Sequence, residues 1–262
     1  MSDTTAPSAA APPKTKPPNN LIGVAILAVC VACAVALQLG AGPIGPLTFG
    51  FVLAGWILAV MAHEFGHALV GYLGGDWTVK AKGYLAFDPR RYGDLGTSLV
   101  IPILALLLGG VGFPGGAVYL RTDLMRSAAW RSAASLAGPF ATLIVLLLLA
   151  LILRIWWTLG ASGPLFPALS VLAFLQAMAL ILNLLPIPGL DGFNAIRPFL
   201  PRRWGRVIRK AEGLSLLLLL ALIFLIPGAS AELFSVAAEL GVALGLSPQA
   251  LQYGWGQFQF WR

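Results

Sequence analysis

Residues 61–68 read Met61-Ala62-His63-Glu64-Phe65-Gly66-His67-Ala68. This H-E-x-x-H lies inside an apolar run, 49–73, and His63 and His67 are the only histidines in the chain. Four residues apart on a helix, they stand one above the other on a single face, with Glu64 beside them. Two imidazoles on one face next to a carboxylate base make the geometry of a zinc site. An ionisable group near a bilayer centre costs roughly 2.5–3.5 kcal/mol on insertion scales, so a membrane helix has little other reason to carry this cluster.

The surroundings are those of a membrane protein. Of 262 residues, 58% are hydrophobic and 10% charged, and the mean hydropathy is +0.86. A soluble domain carries about 25% charged residues. The expected fold is an all-α polytopic membrane protein of about five to six transmembrane helices. The net charge of +7 reads as Lys and Arg collected in cytoplasmic loops, not as a nucleic-acid surface. Cys30 and Cys33 sit in an apolar span, where packing explains them better than redox chemistry.

Working outward from the histidines gives an order of segments. Residues 1–20 hold Pro7, Pro12, Pro13, Pro17 and Pro18 and read as a disordered cytoplasmic tail. The transmembrane core is 21–228, and 229–262 is an interfacial or membrane segment. The first apolar run, 21–40, is span length and follows that tail, so no cleavable secretory signal is evident. The histidine segment 49–73 then runs back toward the cytoplasm. Trp77-Thr78-Val79-Lys80-Ala81-Lys82 alternates apolar and polar and continues through Phe87, a strand signal with a hairpin at Gly83. Residues 98–108 are apolar but run into Gly109-Gly110-Val111-Gly112. Basic residues flank both sides: Lys80, Lys82, Arg90 and Arg91 before, Arg121, Arg126 and Arg131 after. The positive-inside rule therefore favours a re-entrant segment that enters and leaves on one side. Crossings follow at 132–157 and 165–185, then a basic loop with Arg197, Arg202, Arg203, Arg206, Arg209 and Lys210, then a shorter apolar run, 214–226.

A zinc hydrolase site needs three protein ligands. Asp3, Asp76, Asp88, Asp94 and Asp123 fall in the tail or loops, and Glu212, Glu232 and Glu239 near helix ends beyond the basic loop. Asp191 is the acid at the end of an inward-running helix, beside the Pro186, Pro188 and Gly189 break. If 98–116 makes no net crossing, the His63 and Asp191 segments run parallel and their ends meet at one depth.

His63-Glu64-Phe65-Gly66-His67, followed by Asn183-Leu184-Leu185-Pro186-Ile187-Pro188-Gly189-Leu190-Asp191-Gly192, resembles the site-2 protease family of intramembrane zinc metalloproteases. The resemblance implies that His63, His67 and Asp191 are zinc ligands, that Glu64 is the catalytic acid/base, and that Asn183 lies near the scissile bond. It also implies a β-structured, partly inserted segment after the histidine helix. Two positions depart from the family: Phe193 stands where a second glycine is common, and Thr142 replaces the usual Asn after Ala137-Gly138-Pro139. Neither is expected to touch a ligand.

The expected function is hydrolysis of peptide bonds within or near transmembrane segments. Zinc is the cofactor, and the partners are the lipid bilayer and a transmembrane protein substrate, a single-span regulator or a signal-peptide remnant. The expected place is a prokaryotic inner membrane, with the N-terminus and the site on the cytoplasmic side. The alternatives are a membrane metal transporter or sensor, or an inactive scaffold of the same fold.

Overall fold

The computed structural model describes residues 20–92, 100, 103–104, 106–107, 118–160 and 162–262. Four of its helices are long and apolar enough to cross a membrane: α1 (Leu21–Leu39), α2 (Ile44–Gly74), α4 (Ala128–Thr158) and α5 (Leu165–Leu184). Between α2 and α4 lies the short α3 (Thr78–Lys82). After α5 come α6 (Asp191–Ile196), α7 (Gly205–Leu225), α8 (Ala229–Ala243) and α9 (Pro248–Phe258). With these apolar helices the chain is an integral membrane protein. The expected tail, apart from Asn20, and most of the expected re-entrant segment lie outside the described residues.

Small residues set the helix packing. Gly50 faces Cys33 and Gly23 faces Met61, so α1 and α2 are antiparallel. Gly66 lies against Ala137, where an added Cβ would come 2.6 Å from the Ala137 carbonyl oxygen. Such close backbone approach is how helices associate in lipid, where burial alone drives little. Gly55 faces Leu172 and Gly254 faces Pro167, which ties α5 to α2 on one side and to α9 on another. Of an 18-residue window of α5, 83% is buried, against 11% for α1. The apolar core is built around α5, with Val171, Leu175 and Met178 at its centre.

The strand expected over 77–87 is not there. Among the described residues no strand occurs, and the segment forms one helical stretch, α3, followed by turns. The alternation of Trp77 to Lys82 had suggested a half-buried strand, but three local features override it. Gly75 and Gly83 take left-handed backbone, at φ 119° and 74°. The buried Asp76 accepts the Thr78 amide and so starts a turn. Only Val79 of α3 is buried, so no second apolar face calls for a partner strand.

The C-terminal third is also more helical than its pattern suggests. α7 begins at Gly205, inside the basic stretch, because Arg and Lys are good helix formers. α8 has 15 residues, about 22 Å at the usual rise, short of a full crossing. The aromatic tail turns partly inward: Phe258 stacks on Phe49 and Trp255 meets Phe174 edge-on.

Candidate metal centre

α2 buries His63, Glu64 and His67 together. The Pro186–Gly189 break after α5 turns the chain so that α6 starts at Asp191. Gly192 permits this, since a Cβ there would fall 2.5 Å from the Leu184 carbonyl carbon. Asp191 Oδ2 then lies 3.1 Å from His63 Nε2 and 3.4 Å from His67 Nε2, and the two Nε2 atoms are 3.0 Å apart.

Donor atoms about 2.0–2.2 Å from one tetrahedral ion stand about 3.3 Å from each other. The three observed separations, 3.0, 3.1 and 3.4 Å, fit that requirement. Two imidazole nitrogens and a carboxylate oxygen are also the donor set of a catalytic zinc site. Among the described residues this is the group of histidine and carboxylate side chains positioned to bind a metal ion.

α4 forms the wall behind the histidines, antiparallel to α2. His67 Nδ1–H donates to the Ala134 carbonyl oxygen at 2.7 Å. A carbonyl can only accept, so His67 carries a proton on Nδ1, which in the neutral ring leaves the Nε2 lone pair free. One turn further along α4, Gly138 leaves the room the rings occupy: a Cβ there would come 2.6 Å from His63 Nε2 and closer still to His67. One turn beyond that, Thr142 Oγ1 lies 2.9 Å from His63 Nδ1. The sequence reading had Thr142 away from the ligands, and the structure corrects it. The Thr142 signal was present in the sequence, since Ala134, Gly138 and Thr142 recur every fourth residue along one face.

On its other side Glu64 meets backbone. Its Oε2 accepts the Val118 amide at 3.0 Å. Three residues on, the Arg121 amide donates to Asp76 Oδ2 at 2.6 Å. Lys82 Nζ donates to the Tyr119 carbonyl at 2.8 Å, and the Arg126 guanidinium reaches the Leu73 carbonyl. These contacts bring residues 118–126 back to the C-terminal end of α2, beside the residues that precede the undescribed stretch. Lys82, Arg121 and Arg126 therefore lie at one end of the bundle. Asn183 is buried in the last turn of α5, the helix whose end delivers Asp191. Val118 and Asp76 are site-forming residues that the sequence reading missed.

Similar proteins bear on this arrangement. Over 240 residues, 90% of this chain and 92% of the relative, the sequence is 37% identical to Rip2 of Mycolicibacterium smegmatis, which carries the name of a zinc metalloprotease. The chain belongs to the site-2 protease family. A Rip2 of Mycobacterium tuberculosis is 41% identical over 213 residues, 81% of each chain. YwhC of Bacillus subtilis, also named as a zinc metalloprotease, is 28% identical over 173 residues, 63% of this chain and 76% of the relative. No family model matches the chain, and no solved structure matches it significantly. The site-2 protease resemblance first read from two short motifs thus extends, in relatives, over most of the chain.

Proposed function

We propose that this chain is an intramembrane zinc metalloprotease that hydrolyses peptide bonds within or near transmembrane segments of other membrane proteins. The observation that carries this reading is the convergence of His63, His67 and Asp191 beside Glu64, within helices apolar enough to cross a bilayer. Zinc held by these three donors supplies Lewis acidity toward a carbonyl and makes water acidic enough to attack near neutral pH. Glu64 is the acid/base: it takes the proton of the attacking water and returns it to the leaving amine. The Val118 amide fixes the direction of that carboxylate. Asn183 is a hydrogen-bond donor for the substrate carbonyl oxygen as charge develops on it.

The substrate is a transmembrane helix, whose peptide groups are closed off by internal hydrogen bonds. It unwinds before its carbonyl meets the site. Single-span regulators and signal-peptide remnants are the substrate class, and the lipid bilayer is the other partner. The orientation follows the charges: the N-terminus, the basic residues around 80–131 and the loop after α6 face the cytoplasm. The inner membrane of a prokaryotic cell is the expected location. Beyond the four described spans, α7 supplies a fifth.

The test uses full-length protein in detergent, loaded with zinc, acting on a single-span substrate. Glu64→Gln is expected to keep its zinc and to lose cleavage by about 10²–10⁴-fold. A wild type that takes up no zinc, or a Glu64→Gln protein that cleaves at the wild-type rate, would overturn the reading.

A further inference from the structure

The two histidines are held from behind by different chemistry. His67 Nδ1 faces a main-chain carbonyl, that of Ala134, at 2.7 Å. His63 Nδ1 faces a side-chain hydroxyl, that of Thr142, at 2.9 Å. Thr142 is 2% exposed, so water does not compete for its hydroxyl. A threonine in an apolar helix ordinarily bonds back to the carbonyl one turn earlier. Here the hydroxyl is within hydrogen-bond distance of another helix's imidazole, 79 positions away in sequence.

Ring position demands such a partner. An imidazole that offers Nε2 to a cation must carry its proton on Nδ1, and that proton needs an acceptor. The two histidines stand one turn apart on α2, and α4 passes them in the opposite sense, so each must find an acceptor at its own level. At the level of His67 the Ala134 carbonyl serves, using its second lone pair. At the level of His63 the acceptor is a side chain, and Thr142 is the polar residue that α4 presents there.

We propose that Thr142 is the positioning residue of His63: its hydroxyl oxygen accepts a hydrogen bond from Nδ1–H and so directs Nε2 toward Asp191 and the metal. The role rests on the zinc-protease reading above. An asparagine at this position would also offer an oxygen that accepts, at a different reach.

Two shape-matched pairs test this. Thr142 and Thr142→Val have nearly the same shape with and without the hydroxyl, and Thr142→Ser and Thr142→Ala form a smaller pair with the same contrast. Zinc affinity of the stripped full-length proteins is measured in detergent by competition with a chelating dye. Loss of an outer-shell partner lowers metal affinity by about 10–100-fold. The expected order is therefore Thr and Ser together, with Val and Ala weaker by that factor, and Thr142→Asn close to wild type. At saturating zinc, the hydroxyl-free variants are expected to fall in kcat while KM for substrate stays within about twofold.

An order set by size, with Val beside Thr and Ser beside Ala, overturns the proposal. The Ser/Ala pair decides the matter if the Val protein fails to fold. A wild type that takes up no zinc overturns the functional reading and this proposal together. A wild type that binds zinc as tightly as all four variants overturns the proposal alone.

Discussion

Glu64 stands between two walls of different construction. Behind the histidines, α4 and α6 contribute side-chain groups and a carbonyl carried on regular helices: Ala134, Gly138, Thr142 and Asp191. On the opposite side, residues 118–121 contribute main-chain amides and a carbonyl, held by the side chains of Glu64, Asp76 and Lys82. The first wall is made of residue types at fixed spacing. The second is made of backbone, which every residue carries, and only its anchors have an identity. The ligand wall should therefore govern metal binding. The backbone wall should govern the aim of Glu64 and leave the metal alone.

The largest expected effect comes from filling the ligand wall. Gly138→Ala puts a methyl group where the imidazoles lie. Overpacking of this kind costs about 1–3 kcal/mol, and the displaced rings should lose at least as much metal affinity as a lost outer-shell partner, about 10–100-fold. Zinc content after dialysis, together with the melting temperature in detergent, measures both. A Gly138→Ala protein with full zinc content would break the contrast between the walls.

A smaller effect follows from untying the backbone wall. Asp76 is fully buried and accepts the amides of Thr78 and Arg121. Asp76→Ala orphans both donors, at about 1–3 kcal/mol for the group. With residue 121 untied, Val118 no longer fixes Glu64, and a small misplacement of a catalytic group can cost roughly 10²-fold in rate. Cleavage should fall by roughly 10–100-fold with zinc content unchanged. Loss of zinc along with activity would show that the walls are not independent.

The smallest effect lies furthest from the metal. A hydrogen bond from the Arg90 side chain holds the Asp88 carboxyl below the usual carboxylate range. A carboxylate depressed on folding stabilises the fold above its ordinary pKa, near pH 4, and that contribution fades as the pH falls through the depressed value. The melting temperature of wild type should therefore drop more steeply below about pH 4 than that of Asp88→Asn. Zinc content at neutral pH should be equal in the two proteins. Parallel melting curves would remove Asp88 from this account.

What could be read in the sequence divides along the same line. His63, Glu64 and His67 announced themselves by helical spacing, and Asp191 by being the acid beside a Pro/Gly break at the right end of a helix. Thr142 was visible only as the last of a row four residues apart with Ala134 and Gly138, because a lone threonine in an apolar helix has many explanations until its neighbour is known. Val118 had no signature, since any residue has an amide to give. Asp76 did have one, an acid next to Gly74 and Gly75 at a helix end, and it outweighed the alternation that suggested a strand over 77–87. Local capping fixes two or three residues at once, whereas alternation requires a partner strand before it is rewarded.

The unequal burial of α1 and α5 has a consequence for which helix leaves the bundle at least cost. α5 is enclosed by α2, α4, α8 and α9, and drawing it aside would break tight contacts at Gly55 and Gly254. α1 shows most of its surface outward and is fastened at its start to Phe87, whose carbonyl accepts the Gly23 amide and whose amide donates to the Asn20 side chain. In a bilayer, parting α1 from α2 trades one apolar contact for another of nearly equal free energy, because lipid tails are as apolar as leucine. α1 is therefore the least costly of the described spans to part from the bundle, and α5 the most costly.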